Sequence, residues 1–440
     1  MEIRSMNVVI ATYGSTGDIF PLIRLGVALK ESRHSVSFAT SKAFRNDVEE
    51  AGLNYCQLPP HWERSELTRC MAHIQKYRSP VRQLRELYRA ALPCFDAIID
   101  GLDAALENAD CLISSYLFPV GKSLADRRGI PSVSFAFAHN AIPSGVYPPH
   151  GVPRLNVLPS WMRIRWNRLA WRVGNVAVDR AINLTISEIL DRKGLPRVRD
   201  FFSKPSDLVL VGVSSSLMRP EIDLDPRFQF TGYCRWQAPE CASSETQLRA
   251  FKGHTGVPIL TFGSMAYDDP KAWFDRFLAS WPSDRKIVVQ PGWSGFSVPE
   301  ETDRILGLGA MSHDQLFRHA SVVIHHGGAG TTASALYAGA PQIIVPHLGD
   351  QGFFASEVER LGCGIKLGKR RWPERLWDKV QEVEKAATYR SKALENRALL
   401  EEENGPQTAV DRIETFVAES RRRGGESELM TSNLAWEISA

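Results

Sequence analysis

The 440-residue chain has seven cysteines, but no CxxC pair and no Cys/His spacing suited to a metal. An odd, scattered set, with no signal peptide, points to a reducing compartment, the cytoplasm. No apolar run approaches the ~20 residues of a membrane span. The start, MEIRSMNVVIATYG, is too short in apolar residues for a secretion signal and reads as a first strand. The formal net charge is only +3, which leaves no basic excess for nucleic acid. There is no P-loop ending in GKS or GKT, no GxGxxG, and no short repeat. What is present is ordinary for a globular protein: 43% hydrophobic and 23% charged residues, over a length that suits two domains.

Strand-like and helix-like runs alternate along most of the chain, which predicts parallel α/β architecture. In the first half, strands are expected near residues 7–12, 35–40, 54–58, 110–114, 132–137 and 207–213. Helices are expected near 20–32, 42–51 and 79–107. A proline-punctuated stretch follows, and the spacing predicts domains at 1–217 and 253–403 joined by a linker at 218–252. Strands of the second half are expected at 257–262, 286–290, 304–308, 321–326 and 342–346, with closing helices at 374–387 and 391–403. The composition after residue 420, rich in Arg, Gly, Glu and Ser, predicts a disordered tail. Two Rossmann-like halves would set a cleft at the carboxyl ends of both sheets, where open α/β sheets bind ligands.

The most informative stretch is IHHGGAGTTASALYAGAPQIIVPHLGDQ, residues 324–351. A β-branched strand leads to two histidines, a glycine turn and a Thr-Thr helix start. The first N–H groups of a helix lack intrahelical partners, and its dipole favours an anion there. Gly327, Gly328 and Gly330 carry no Cβ, so an anion can approach the backbone. Thr331 and Thr332 add hydroxyls, and His326 adds an imidazole N–H or a positive charge.

This block resembles the signature of the family 1 glycosyltransferases, which move sugars from nucleotide donors to small molecules. The resemblance implies the GT-B fold, with two Rossmann-like domains facing across a cleft and a last helix, 404–419, crossing back onto the first. It implies that His326, Gly328, Gly330, Thr331 and Thr332 hold the donor diphosphate, and that Asp350 and Gln351 bind sugar hydroxyls. Phe262-Gly263-Ser264 resembles the family's step at which Ser264 touches the diphosphate. Met311, His313 and Trp293 fall where the nucleoside is expected. The plant branch has a ribose-binding Glu where this chain has Ser334. Its Trp facing the base has no aromatic counterpart in 309–313. The chain looks closer to the bacterial and sterol-glycosylating branch, and is also similar to the rhamnosyltransferases of rhamnolipid synthesis.

The first strand ends in YGSTGDIFP, residues 13–21. Gly14, Ser15 and Gly17 make a polar turn entering a helix, and Asp18 reads either as its N-cap or as a general base aimed into the cleft. The resemblance implies the base, since bacterial and sterol-type relatives carry Asp at this place. A carboxylate of ordinary pKa ~4 is a weak base at neutral pH. His139 is the second candidate base. Asp223-Leu224-Asp225 matches a DxD metal pattern but reads better as an acidic turn, and the resemblance implies neither metal nor cofactor beyond the nucleotide sugar. Residues 161–172, WMRIRWNRLAWR, read as a surface helix, an acceptor wall or a peripheral membrane contact. The leading expectation is an inverting, metal-independent transfer of hexose from a UDP- or dTDP-sugar to a small lipophilic acceptor. A GT-B sugar-nucleotide epimerase and a non-catalytic auxiliary partner remain alternatives.

Overall fold

The computed structural model describes residues 4–437 apart from 78, 139–140, 154, 156, 220, 222–223, 237–240, 254, 310 and 348, with side chains described as far as 423. It contains two parallel sheets. The first has seven strands, β1 (Asn7–Ala11), β2 (Ser35–Thr40), β3 (Asn54–Gln57), β4 (Cys111–Ser115), β5 (Ser132–Ala136), β6 (Leu208–Val211) and β7 (Phe228–Phe230), in the order β3-β2-β1-β4-β5-β6-β7. The second has six, β8 (Val257–Thr261), β9 (Ile287–Gln290), β10 (Ile305–Gly307), β11 (Ala320–His325), β12 (Gln342–Ile344) and β13 (Gly364–Lys366), in the order β10-β9-β8-β11-β12-β13. Central strands are apolar at nearly every position because helices cover both faces: β4, β5, β6 and β8 are buried throughout.

The strand order reverses between β1 and β4, and again between β8 and β11. At such a switch point the connecting loops leave to opposite sides and open a crevice at the strands' carboxyl ends. The Asp18 turn follows β1 and Tyr116 follows β4. Ser264 follows β8 and His326 follows β11. The fold therefore sets the sequence-predicted residues at its two crevices.

Several boundaries differ from the sequence reading. The stretch expected as linker contains β7, which pairs with β6 and completes the first sheet. It also contains the Ala242–Lys252 helix, whose Leu248 and Phe251 are buried in the second half's core. Three residues of strand among prolines are too few to show a period. The first helix starts at Thr16, ahead of the expected Phe20. The last helix, Gly405–Glu437, runs on through the stretch whose composition suggests a disordered tail. Its Ala409, Val410, Ile413 and Val417 are buried in the core of the first half. His34 and Glu414 pair at 2.9 Å, and Arg421 bonds to Asp110, so this helix is tied to the first half at both levels.

The chain thus passes between the halves twice, and the two passages touch. A Cβ on Gly232 would lie 2.9 Å from Glu403 Oε2, and one on Gly405 would lie 2.5 Å from the Tyr233 carbonyl. The halves also share an apolar cluster in which Val209, Val211 and Ala138 meet Ala333, Leu336 and Phe354.

Candidate active site

The loop after β1 is built around one carboxylate. Ser15 caps the Thr16–Glu31 helix, and its backbone N–H and hydroxyl both donate to Asp18 Oδ2, at 2.8 and 3.0 Å. Asp18 is therefore the third helical residue and not the cap. Its Oδ1 takes no hydrogen bond among the described residues. Gly14 has φ +136°, and a Cβ there would sit 2.3 Å from Asp18 Oδ2, so only glycine lets the carboxylate fold back onto the turn. Gly17 is exposed on the first turn. Burial raises the Asp18 carboxyl above its ordinary range, against the two Ser15 hydrogen bonds that lower it. A raised carboxyl is a stronger base than the ordinary Asp expected from sequence.

Across the cleft stands Asp350, at the start of the Gln351–Arg360 helix. Burial pushes its carboxyl up to about 7, and the nearby charge of Asp18 pushes in the same direction. The two carboxylates come from opposite halves yet are close enough to feel each other. Tyr116, half-buried after β4, lies within reach of both: burial raises its hydroxyl, and Asp350 and Asp18 raise it further. No motif in the sequence marks Tyr116.

The glycine turn after β11 has the expected strand–turn–helix form. The Ala329–Tyr337 helix makes its first intrahelical bond from Thr332 N–H to Gly328 O at 2.9 Å. The N–H groups of Ala329, Gly330 and Thr331 precede it and point out of the helix end. The His326 ring occupies the space between two glycines. A Cβ on Gly328 would be 2.4 Å from its Nε2, and one on Gly263 would be 3.0 Å from its Cε1. His326 Nδ1 is buried with no partner among the described residues, and so is Thr332 Oγ1. Burial, then His325, His347 and His313, hold His326 well below the usual histidine range. It therefore offers a neutral imidazole rather than the positive charge that sequence left open. An orphaned buried nitrogen beside unpaired helix N–H groups fits a diphosphate.

His325 does a different job. Its Nδ1 accepts from Gly327 N–H at 3.1 Å and its Nε2 pairs with Gln342 Oε1 at 2.8 Å, so it fixes the turn to β12. Gln351 is 3% exposed, and its side chain accepts from His347 N–H at 2.7 Å and approaches Met265 Sδ at 3.2 Å. It braces the loop after β12, while Asp350 faces the cleft carboxylate. His347 is braced in turn, its Nε2 facing the Tyr267 hydroxyl at 2.7 Å.

Ser264 sits in a loop held from the other half. Gln75 donates to the Ser264 carbonyl at 3.4 Å and accepts from Ala266 N–H at 3.2 Å. No motif marks Gln75, and only the three-dimensional pairing reveals it. Of the expected nucleoside contacts, Met311 is buried in the core, and its carbonyl accepts from Gln290 at 2.8 Å. His313 stacks on Phe317 at 4.7 Å and is pushed down to about 4 by burial. Trp293 donates its N–H to the Gly263 carbonyl at 2.8 Å and packs against the first half's core. His139 and Asp223 lie outside the described residues. Among those described, no three His, Cys, Asp or Glu side chains converge as a metal site.

Comparison with known proteins agrees with this geometry. Residues 8–115 match the glycosyltransferase family 28 N-terminal domain, and residues 295–416 match the erythromycin biosynthesis protein CIII-like C-terminal domain. A sterol 3-beta-glucosyltransferase of Neurospora crassa is 28% identical over 93% of this chain, which spans 27% of that protein's length. The vancomycin aglycone glucosyltransferase of Amycolatopsis orientalis is 27% identical over 82% of this chain and 85% of its own length. Among solved structures, the kitacinnamycin glycosyltransferase superposes with a TM-score of 0.68 at 20% identity, covering 94% of this chain and 99% of its own. VinC in complex with dTDP superposes at 0.64 with 16% identity, over 94% of this chain and all of its own. Both crevices, both domain matches and these superpositions converge: the chain belongs to the family 1 glycosyltransferases of GT-B fold.

Proposed function

We propose that this protein is an inverting glycosyltransferase that moves a hexose from a UDP- or dTDP-sugar to a hydroxyl of a small lipophilic acceptor without a metal. The observation that carries the reading is the pair Asp18 and Asp350, set on opposite halves within electrostatic reach, with Gln351, the residue after Asp350, against the Gly327 turn. Relatives named for sterol and vancomycin-aglycone glucosylation support a lipophilic or secondary-metabolite acceptor. Neighbours solved with thymidine diphosphate support a nucleotide donor.

In this reading the acceptor oxygen attacks the anomeric carbon while Asp18 Oδ1 takes its proton. Oδ2 stays bound to Ser15, which fixes the carboxylate's direction, and its raised pKa brings it nearer to working pH. The bond from the anomeric carbon to the diphosphate oxygen breaks, and its electron pair leaves with the diphosphate. The N–H groups of residues 329–331 and the His326 imidazole receive the negative charge as it develops. Asp350 accepts from sugar hydroxyls, and Gln351 keeps its loop in place.

The test is Asp18→Asn, measured with a panel of UDP- and dTDP-sugars against sterol, polyketide and hydroxy-fatty-acid acceptors. The amide can still accept from Ser15 but cannot take a proton. Donor binding by calorimetry should persist while transfer is lost. Transfer at near wild-type rate would overturn the base assignment.

A further inference from the structure

The 33-residue helix Ser160–Arg192 carries a surface that the sugar-transfer reading does not use. Its Trp161, Met162, Trp166, Leu169, Val173, Val176 and Leu184 are exposed, and they make up seven of the twelve exposed large hydrophobics among the described residues. Apart from Trp161 they follow steps of four, three, four and three, and Leu184 lies two turns further. At ~100° per residue these positions keep to one arc of about 80°. Arg165 and Arg172 line one edge of the arc, Arg163 flanks the other, and Arg180 lies on the arc between Val176 and Leu184. No acidic residue occurs from 160 to 178. The Arg165 guanidinium lies over the Trp161 ring at 5.5 Å.

The opposite face is fully engaged. Asn167 donates to the Gly145 and Val146 carbonyls at 2.8 and 3.0 Å, and Trp171 Nε1 donates to the Tyr147 carbonyl at 2.8 Å. The exposed apolar arc is therefore a property of a well-anchored helix and not of a misplaced one. Tyr147 in turn packs edge-on against Phe353 at 5.2 Å, three residues beyond Asp350.

We infer that the Ser160–Arg192 helix docks the protein on an anionic lipid surface, with its apolar arc in the acyl boundary and its arginines at the headgroups. Length, Trp and Arg content, and an arc of this width suit a helix lying in the interface plane. The spacing also suits a helix pairing with a second copy. Self-pairing over residues 160–178 would bring two arginine edges together in a span that holds no acid on either copy, whereas acidic headgroups complement them. The 144–147 loop joins the inward face of this helix to the helix capped by Asp350. The docking itself does not depend on which sugar, if any, is transferred.

The experiment is co-sedimentation of the full chain with large vesicles of phosphatidylcholine alone or mixed with phosphatidylglycerol. Binding to the acidic vesicles should exceed that to neutral ones by about ten-fold and weaken in high salt. The double variant Leu169→Glu/Val173→Glu should lose it while keeping the wild-type thermal midpoint, since both side chains are exposed. Absence of binding to either vesicle overturns the inference, as does binding by the variant equal to that of wild type. Sedimentation velocity covers the other occupant: a wild-type dimer that the double variant dissociates, without vesicle binding, assigns the face to a second copy instead. None of these readouts requires sugar transfer, so failure here is separable from failure of the proposed function.

Discussion

The His326 turn makes its sharpest prediction through two glycines with different surroundings. Gly328 has φ −65° and ψ 149°, which alanine adopts without strain. Its Cβ would nevertheless stand 2.4 Å from His326 Nε2, and ordinary contact begins near 3.4 Å. The ring must move by about 1 Å, and Gly263 closes the space on its other side. A displacement of this size in a catalytic group is expected to lower turnover by roughly 10²-fold. A Cβ on Gly330 meets nothing within 4 Å and lies in the first helical turn. Gly330→Ala should therefore leave the fold intact or stabilise it by up to about 1 kcal/mol. If a phosphate oxygen rests on the Gly330 N–H at ~2.9 Å, the new methyl crowds it, and affinity for UDP or dTDP should fall about ten-fold or more. Calorimetric titration, steady-state turnover and a thermal midpoint measured on both variants separate the two effects. Wild-type affinity and turnover in Gly330→Ala, together with near wild-type turnover in Gly328→Ala, would refute the placing of the diphosphate at this helix end.

Three further outcomes are expected. Asp350 has a folded-state carboxyl at about 7, above its unfolded value near 4, so the folded state holds the extra proton and wild-type stability falls as pH rises between them. Asp350→Asn removes that loss, so its thermal midpoint should gain on wild type from pH 5 to pH 8; a constant difference would contradict the buried-carboxylate account. Gln75→Leu should raise KM for the donor while leaving the thermal midpoint nearly unchanged, because it frees the Ser264–Ala266 loop without opening a core; an equal fall in stability would make Gln75 merely structural. Activity should survive EDTA, and inactivation reversed by Mg²⁺ would overturn the metal-free leaving-group reading.

The sequence was most readable where chemistry and period coincide. β11, the glycine turn and the Thr-Thr helix start stand where the pattern puts them, because a β-branched run and unpaired helix N–H groups leave a plain local trace. Asp18 was legible as a residue but not as a conformation. Its reciprocal bonds with Ser15 move the helix start four residues forward, and this depends on the contact of Asp18 with Gly14. β7 and β13 have three residues each, which is too few for alternation to register. Gln75 and Tyr116 carry no motif, and their importance comes only from what the opposite half sets beside them. The sequence of the Trp/Arg segment shows no clean arc because Asn167 and Trp171 face inward while Trp161 and Trp166 are exposed. Burial had to be known before its arc could be seen.

The paired passages between the halves have a mechanical consequence. Were the crossings far apart, each would act as a separate tether, and the halves would be held against most relative motions. Here Gly405 runs against the Gly232–Tyr233 backbone with no side-chain thickness between them, the Glu403 side chain lies on Gly232, and Ser214 is fastened to Glu403 at 2.7 Å. Two strands clamped side by side define one axis. Swinging the halves about that axis keeps the clamp itself intact, whereas twisting or sliding must pull the two passages apart. Asp18 and Asp350 belong to opposite halves, so a rotation about this axis would change the distance between the two carboxylates.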